Sequence, residues 1–216
     1  MSLTAKAETL SDDAAGLGQR AGIVTASTWR SGADPEITVG VAGAAVALGC
    51  NPLTFHEPVM AMPDDKTFIE LCEDLWSEAS ALLRDARDLV NAARRQLKAA
   101  AAAAAAARAA LAAARAALAA ATKDDKPAAA AAAQADIQAA QAAADAARAR
   151  AADADACLDV LAETGPRLGY AVRSLSTVPD DLEDAYEPHY ELVRAGGQLP
   201  HVGAWLASTR PDQETQ

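Results

Sequence analysis

The chain has 216 residues, a net charge of −11 and a hydrophobic fraction of 51%, more than half of it alanine. With aromatics at only 4%, there is material for a modest core, because burial stabilises chiefly through large side chains, about 1.5–3 kcal/mol each. The acidic balance repels phosphate backbones and argues against nucleic-acid binding, and three widely spaced cysteines, Cys50, Cys72 and Cys157, argue against a disulfide framework.

The first 18 residues are small and polar and read as a flexible or extended arm. The opening "MSLTAKAETLSDDAAG" has no apolar centre of the secretory kind. The chain is therefore expected to be cytoplasmic, or built inside a cell into a larger particle.

Two apolar runs follow, "GIVTASTW" at 22–29 and "ITVGVAGAAVALG" at 37–49, separated by the turn-forming "RSGADPE". The β-branched residues of the first suggest a strand. The second fits either a strand or a helix. Residues 1–63 are thus expected to hold an N-terminal arm and a small β-hairpin, ending in a loop marked by Pro52, Pro58 and Pro63.

At Asp64 and Asp65 the pattern changes to helix, and no proline or glycine interrupts it before Thr122. Large apolar residues recur at seven-residue spacing: Phe68, Leu75, Leu82 and Leu89, then Leu83, Val90, Leu97, Ala104, Leu111 and Leu118. Such a repeat marks a coiled-coil seam. "TKDDKP" at 122–127 breaks the helix, with Pro127 suited to a first helical position. A second helix is expected up to Thr164, before "GP", with repeats at Ile137, Ala144, Ala151 and Leu158 and at Ala140, Ala147, Ala154 and Leu161.

A short connection favours antiparallel neighbours. Residues 64–165 are therefore read as a long antiparallel helical hairpin, coiled-coil-like, in which alanine allows close approach. Facing positions should sum to about 248, setting Leu111 against Ile137, Val90 against Leu158, and Arg94 and Arg95 near Asp153 and Asp155. A large residue at Ala104 or Ala144 would then push the helices apart. A membrane span through the alanine run would have to carry Arg108 and Arg115, each costing about 2.5–3.5 kcal/mol at a helix centre.

Residues 166–208 read as short C-terminal helices. Leu168, Val172 and Leu175 share one face, Pro188 marks a kink or break, and Gly196–Gly197 marks a stop. The tail 209–216 is expected to be mobile.

No phosphate loop, nucleophile elbow or metal-protease motif is present. Glu187, His189, Glu191 and His201 are the leading grouping for metal or acid–base chemistry, but with no recognised ligand spacing a solvated acidic helix face accounts for them better. Cys72 beside Glu70 and Glu73 is a second grouping, read as an ordinary seam or core thiol because adjacent acids raise a thiol pKa. The cysteines read as reduced, buried apolar residues, and Trp29, Trp76 and Trp205 as core or interface anchors. No catalytic, cofactor or metal residue is therefore assigned.

The fold class expected is mainly α, with a small N-terminal β segment and a short helical C-terminal part. The function expected is a non-enzymatic structural or assembly protein, such as a bacterial or phage particle component, using the hairpin as spacer or docking arm. Its partners would be proteins, through self-association or a larger assembly, with no nucleic acid and no membrane. The competing expectation is a small-molecule or metal-dependent enzyme or binding protein with the hairpin as recognition arm. Circular dichroism should be dominated by helix, and a strand-dominated spectrum would refute the architecture.

Overall fold

In a computed structural model, the backbone is described for residues 1–31, 35–52 and 65–194, and side chains for 1–27, 40–52 and 70–176. The described residues form four α-helices and no strand: α1 (Leu3–Ser31), α2 (Pro35–Ala47), α3 (Asp65–Lys123) and α4 (Pro127–Arg194). The chain divides into two compact units. One comprises Met1–Glu8 with Arg87–Ala162, the other Thr9–Ala86 with Glu163–Gln216.

In the first unit, α3 and α4 pack as a long helix pair, consistent with a helical hairpin. Alanine occupies the buried positions at seven-residue spacing. On α3 these are Ala93, Ala100, Ala107, Ala114 and Ala121, and on α4 Ala133, Ala140, Ala147 and Ala154. Four residues after a buried alanine on each helix comes a larger or half-buried residue: Leu97, Ala104, Leu111 and Leu118 on α3, Ile137, Ala144, Ala151 and Leu158 on α4. The heptad spacing is as expected, but on α3 the centre of the seam lies on the alanines and not on the leucines. A methyl group is the only side chain short enough for two backbones at close approach, so the leucines are displaced to the flank.

α3 ends at Lys123, and its last turn is closed by Lys126 N–H donating to the Ala121 carbonyl (2.9 Å) and Asp125 N–H to that of Thr122 (3.4 Å). This is a Schellman closure, with Asp125 at φ 53° in the position usually given to glycine. α4 then starts on Pro127, whose missing N–H costs nothing in the first turn.

The expected N-terminal arm and β-hairpin are corrected: residues 3–31 and 35–47 are helical, those from Thr9 onward in the second unit. Leu10, Leu17 and Val24 recur every seven residues and are buried, as are Ala14 and Ala21. The run at 22–29 therefore continues a helical stripe. Burial outweighs the β preference of Ile23, Val24 and Thr25. The buried hydroxyls are satisfied within the helix, Thr25 Oγ1 donating to the Ala21 carbonyl and Ser27 Oγ to that of Ile23, both at 2.8 Å.

α2 closes with the same Schellman geometry as α3. Cys50 N–H donates to the Ala45 carbonyl (2.9 Å) and Gly49 N–H to that of Val46 (3.0 Å), with Gly49 at φ 87°. α1 meets this end at Gly18, where a Cβ would lie 2.7 Å from Leu48 Cβ and 3.1 Å from the Leu48 carbonyl oxygen. Only glycine permits that approach.

The break expected at Gly165–Pro166, and with it the separate short helices of 166–208, is also corrected, since α4 is helical through to Arg194. Pro166 removes one i→i−4 hydrogen bond, but it is exposed, where water can satisfy the freed carbonyl. Leu168 and Leu175 extend the buried seven-residue stripe beyond it, with Thr164 and Ala171 beside them. The loop at 53–64 and the segment 195–216, including the tail, lie outside the described residues.

The seam makes a position-specific prediction. Ala107→Leu should destabilise by about 1–3 kcal/mol through overpacking, read as a lower urea midpoint. The expectation that a large residue at Ala104 or Ala144 parts the helices is corrected: both are half-buried on the flank. Ala104→Leu should cost little, since Leu97 and Leu111 hold the equivalent position one heptad to either side. Equal effects at Ala107 and Ala104 would refute an alanine-centred seam.

Candidate functional site

The most connected polar group in the first unit is the Asp153 carboxylate. Oδ2 accepts from Leu3 N–H (3.1 Å) and Oδ1 from Thr4 N–H (3.2 Å). Thr4 Oγ1 donates to Oδ1 and to the Asp153 carbonyl, both at 2.9 Å. Gln96 Nε2 bridges across from α3, donating to the Arg150 carbonyl (2.8 Å) and to Asp153 Oδ2 (3.2 Å).

The start of α1 is thereby fully accounted for. Of its first N–H groups, those of Leu3 and Thr4 go to Asp153, that of Ala5 to Ser2 Oγ (3.1 Å), and that of Lys6 to the Ser2 carbonyl (3.3 Å). Ser2 is the local cap and Asp153 a cap supplied by another helix. The backbone N–H of Leu3 chiefly, then that of Thr4, hold the Asp153 carboxyl down to about 2, a direction the positive end of α1 reinforces.

The expected pairing of Arg94 and Arg95 with Asp153 and Asp155 is corrected: Asp153 faces backbone donors, and neither arginine is in an ion pair among the described residues. The ion pairs that are present, such as Arg20 with Glu78 and Arg148 with Asp145 (2.7 Å), are exposed and contribute little.

The cysteines are free. Burial pushes the Cys72 thiol up to about 12, with Glu73 adding to it. Burial also raises Cys157, helped by Asp153, and Cys50. A raised thiol carries little thiolate at neutral pH, so these environments oppose nucleophilic or metal-binding use. In the second unit a cavity of about 590 Å³ is lined by Ala15, Gln19, Ile23, Leu48, Gly49, Cys50 and Asn51. These offer amides and a suppressed thiol but no charged group. Trp76, expected as an anchor, is 41% exposed.

Of the sequence candidates for chemistry, Glu187, His189 and Glu191 lie on α4 with side chains outside those described, and His201 lies outside altogether, as does the Trp205 segment; the Trp29 side chain is likewise not described. Among the described residues no group of three potential metal ligands occurs. One described helix, α3, is long and apolar enough by composition to cross a membrane, with a window of mean hydropathy 1.4. That value comes from alanine, in a stretch that also carries Arg108 and Arg115.

The first unit also carries an open groove of about 770 Å³ between α3 and α4, lined by alanines and Asp136. Comparison with protein-family models, curated proteins and solved structures finds no match to this chain.

Asp153 yields a pH prediction. A carboxyl held near 2 in the folded chain and near the ordinary ~3.9 when unfolded stabilises fully above about pH 5. That stability falls away between about pH 4 and 2 and is gone below 2. The urea-stability difference between wild type and Asp153→Asn should therefore shrink across that window, with faster amide exchange at Leu3 and Thr4 in the variant. A difference unchanged from pH 6 to pH 2 would show that the carboxylate charge is not what holds α1.

Proposed function

We propose that this chain is a non-enzymatic structural or assembly protein, in which α3 and α4 form an antiparallel, coiled-coil-like hairpin that serves as spacer or docking arm. The observation that carries this reading is the alanine seam. A pair joined through single methyl groups at seven-residue spacing buries little apolar area. It leaves half-buried leucines on its flank and an open groove on its face. Surfaces of that kind gain stability from further helices.

Two further observations among the described residues support the same reading. The thiols are suppressed by burial, and the best-connected carboxylate is occupied in capping a helix. The partners proposed are proteins, including further copies of the chain. The setting proposed is an assembly built inside a cell, with a bacterial or phage particle as the example the alanine-rich composition fits.

Sedimentation equilibrium combined with a thermal-shift screen against divalent metals and common metabolites tests the proposal. Concentration-dependent association with no ligand-induced shift is the expected result. A monomer at all concentrations whose Tm rises with one metal or metabolite would overturn it in favour of a ligand-binding protein.

A further inference from the structure

The groove of the first unit is lined by Ala103, Ala110 and Ala117 of α3 and by Asp136, Ala139 and Ala143 of α4. These positions repeat, in heptads, residues that are covered further along the same face. Gln96 stands one heptad before Ala103, and Asp153 two heptads after Ala139. Gln96 and Asp153 bond to each other, and Asp153 to the first turn of α1. Cys157, three heptads after Asp136, is fully buried. This face of the pair therefore already seats a helix, the first turns of α1. Beyond Leu3 the same seat continues with Ala110, Ala117, Asp136, Ala139 and Ala143 exposed.

The other flank of the pair has a different composition. Leu111, Leu118 and Ile137 each follow a buried seam alanine by four residues and are half-buried. At about 100° per residue this sets them on the side away from the groove. Arg108 and Arg115, each one residue after a seam alanine, border them, and α3 carries no acid between Ala99 and Lys123. The groove, by contrast, is lined by Asp136 and no base; Arg150, exposed two heptads after Asp136 on the same face, lies outside that lining. At the level of the groove, one side thus presents leucine knobs beside Arg108 and Arg115, and the other presents holes beside Asp136.

We infer that the groove is the seat for the leucine–arginine flank of a second copy of this chain, with Leu111 and Leu118 entering between the alanines and Arg108 or Arg115 meeting Asp136. This rests on the assembly reading above and specifies its partner. Groove-to-groove pairing would bring two surfaces together that each carry Asp136 and no base in their lining, and would offer no large side chain to either alanine surface. The contact is heterologous: each copy uses its groove for one neighbour and its ridge for another. Association then continues along a line or closes into a ring.

The test is sedimentation equilibrium on the full chain as wild type, as a groove variant (Ala110→Lys with Ala143→Lys), whose added positive charge repels the ridge, and as a ridge variant (Arg108→Ala with Arg115→Ala). Thermal unfolding and circular dichroism of each serve as a check that these exposed substitutions leave the fold intact. Wild type should associate beyond a dimer, and each variant alone should do so about tenfold or more weakly. An equimolar mixture of the two variants should form a one-to-one dimer and nothing larger, since one intact groove and one intact ridge remain.

Failure of the mixture to pair would overturn the inference. So would normal dimerisation of the ridge variant, which is the groove-to-groove result. Self-association that neither variant weakens would overturn it and leave the assembly reading standing. A wild-type monomer, with Kd weaker than about 1 mM, would also overturn it, and the ligand-shift screen then decides whether the assembly reading falls too.

Discussion

Two helices of this chain meet through single methyl groups, and most of what the first unit can do follows from that constraint. A seam of Ala93, Ala100, Ala107, Ala114 and Ala121 against Ala133, Ala140, Ala147 and Ala154 permits close backbone approach and wide dispersion contact. It removes little apolar surface from water. Leucine cannot enter such a seam without prising the backbones apart, so Leu97, Leu111 and Leu118 stand beside it. The same choice of residue gives the pair its helix propensity, its thin core and its two unlike flanks.

A thin core raises the importance of each polar contact that fixes register. Asp153 and Gln96 serve this purpose. The carboxylate closes the N-terminus of α1 with charge-assisted bonds to Leu3 and Thr4, and Gln96 holds the carboxylate from α3. Three segments distant in sequence are tied at one point by groups whose geometry is specific, where alanine on alanine would tolerate sliding. In the second unit the equivalent precision comes from a glycine. Gly18 accepts the end of α2 at a distance no Cβ would allow.

The same physics bears on function. Among the described residues, the thiols of Cys72 and Cys157 are suppressed by burial, and Asp153 is engaged in capping. What the α3–α4 pair offers outward is an alanine groove on one face and a leucine ridge on the other.

The helix from Asp65 to Lys123, the turn before Pro127 and the seven-residue period were legible in the sequence, because propensity, proline placement and spacing act locally. The candidate site was not. Arg94 and Arg95 are the obvious partners for Asp153 by charge, and nothing in the sequence brings Leu3 beside it. The helicity of 22–29 and 35–47, and the passage of α4 through Pro166, also lay outside local reach. Ile23, Val24 and Thr25 favour strand, and Gly165–Pro166 favours a stop, until the buried stripes through Leu10, Leu17 and Val24 and through Leu161, Leu168 and Leu175 outweigh them. The sequence alone determined that long alanine helices would form and how they would repeat. Only the tertiary structure decided that alanine would take the centre of the seam, because the distance between backbones is set by the pair and not by either helix.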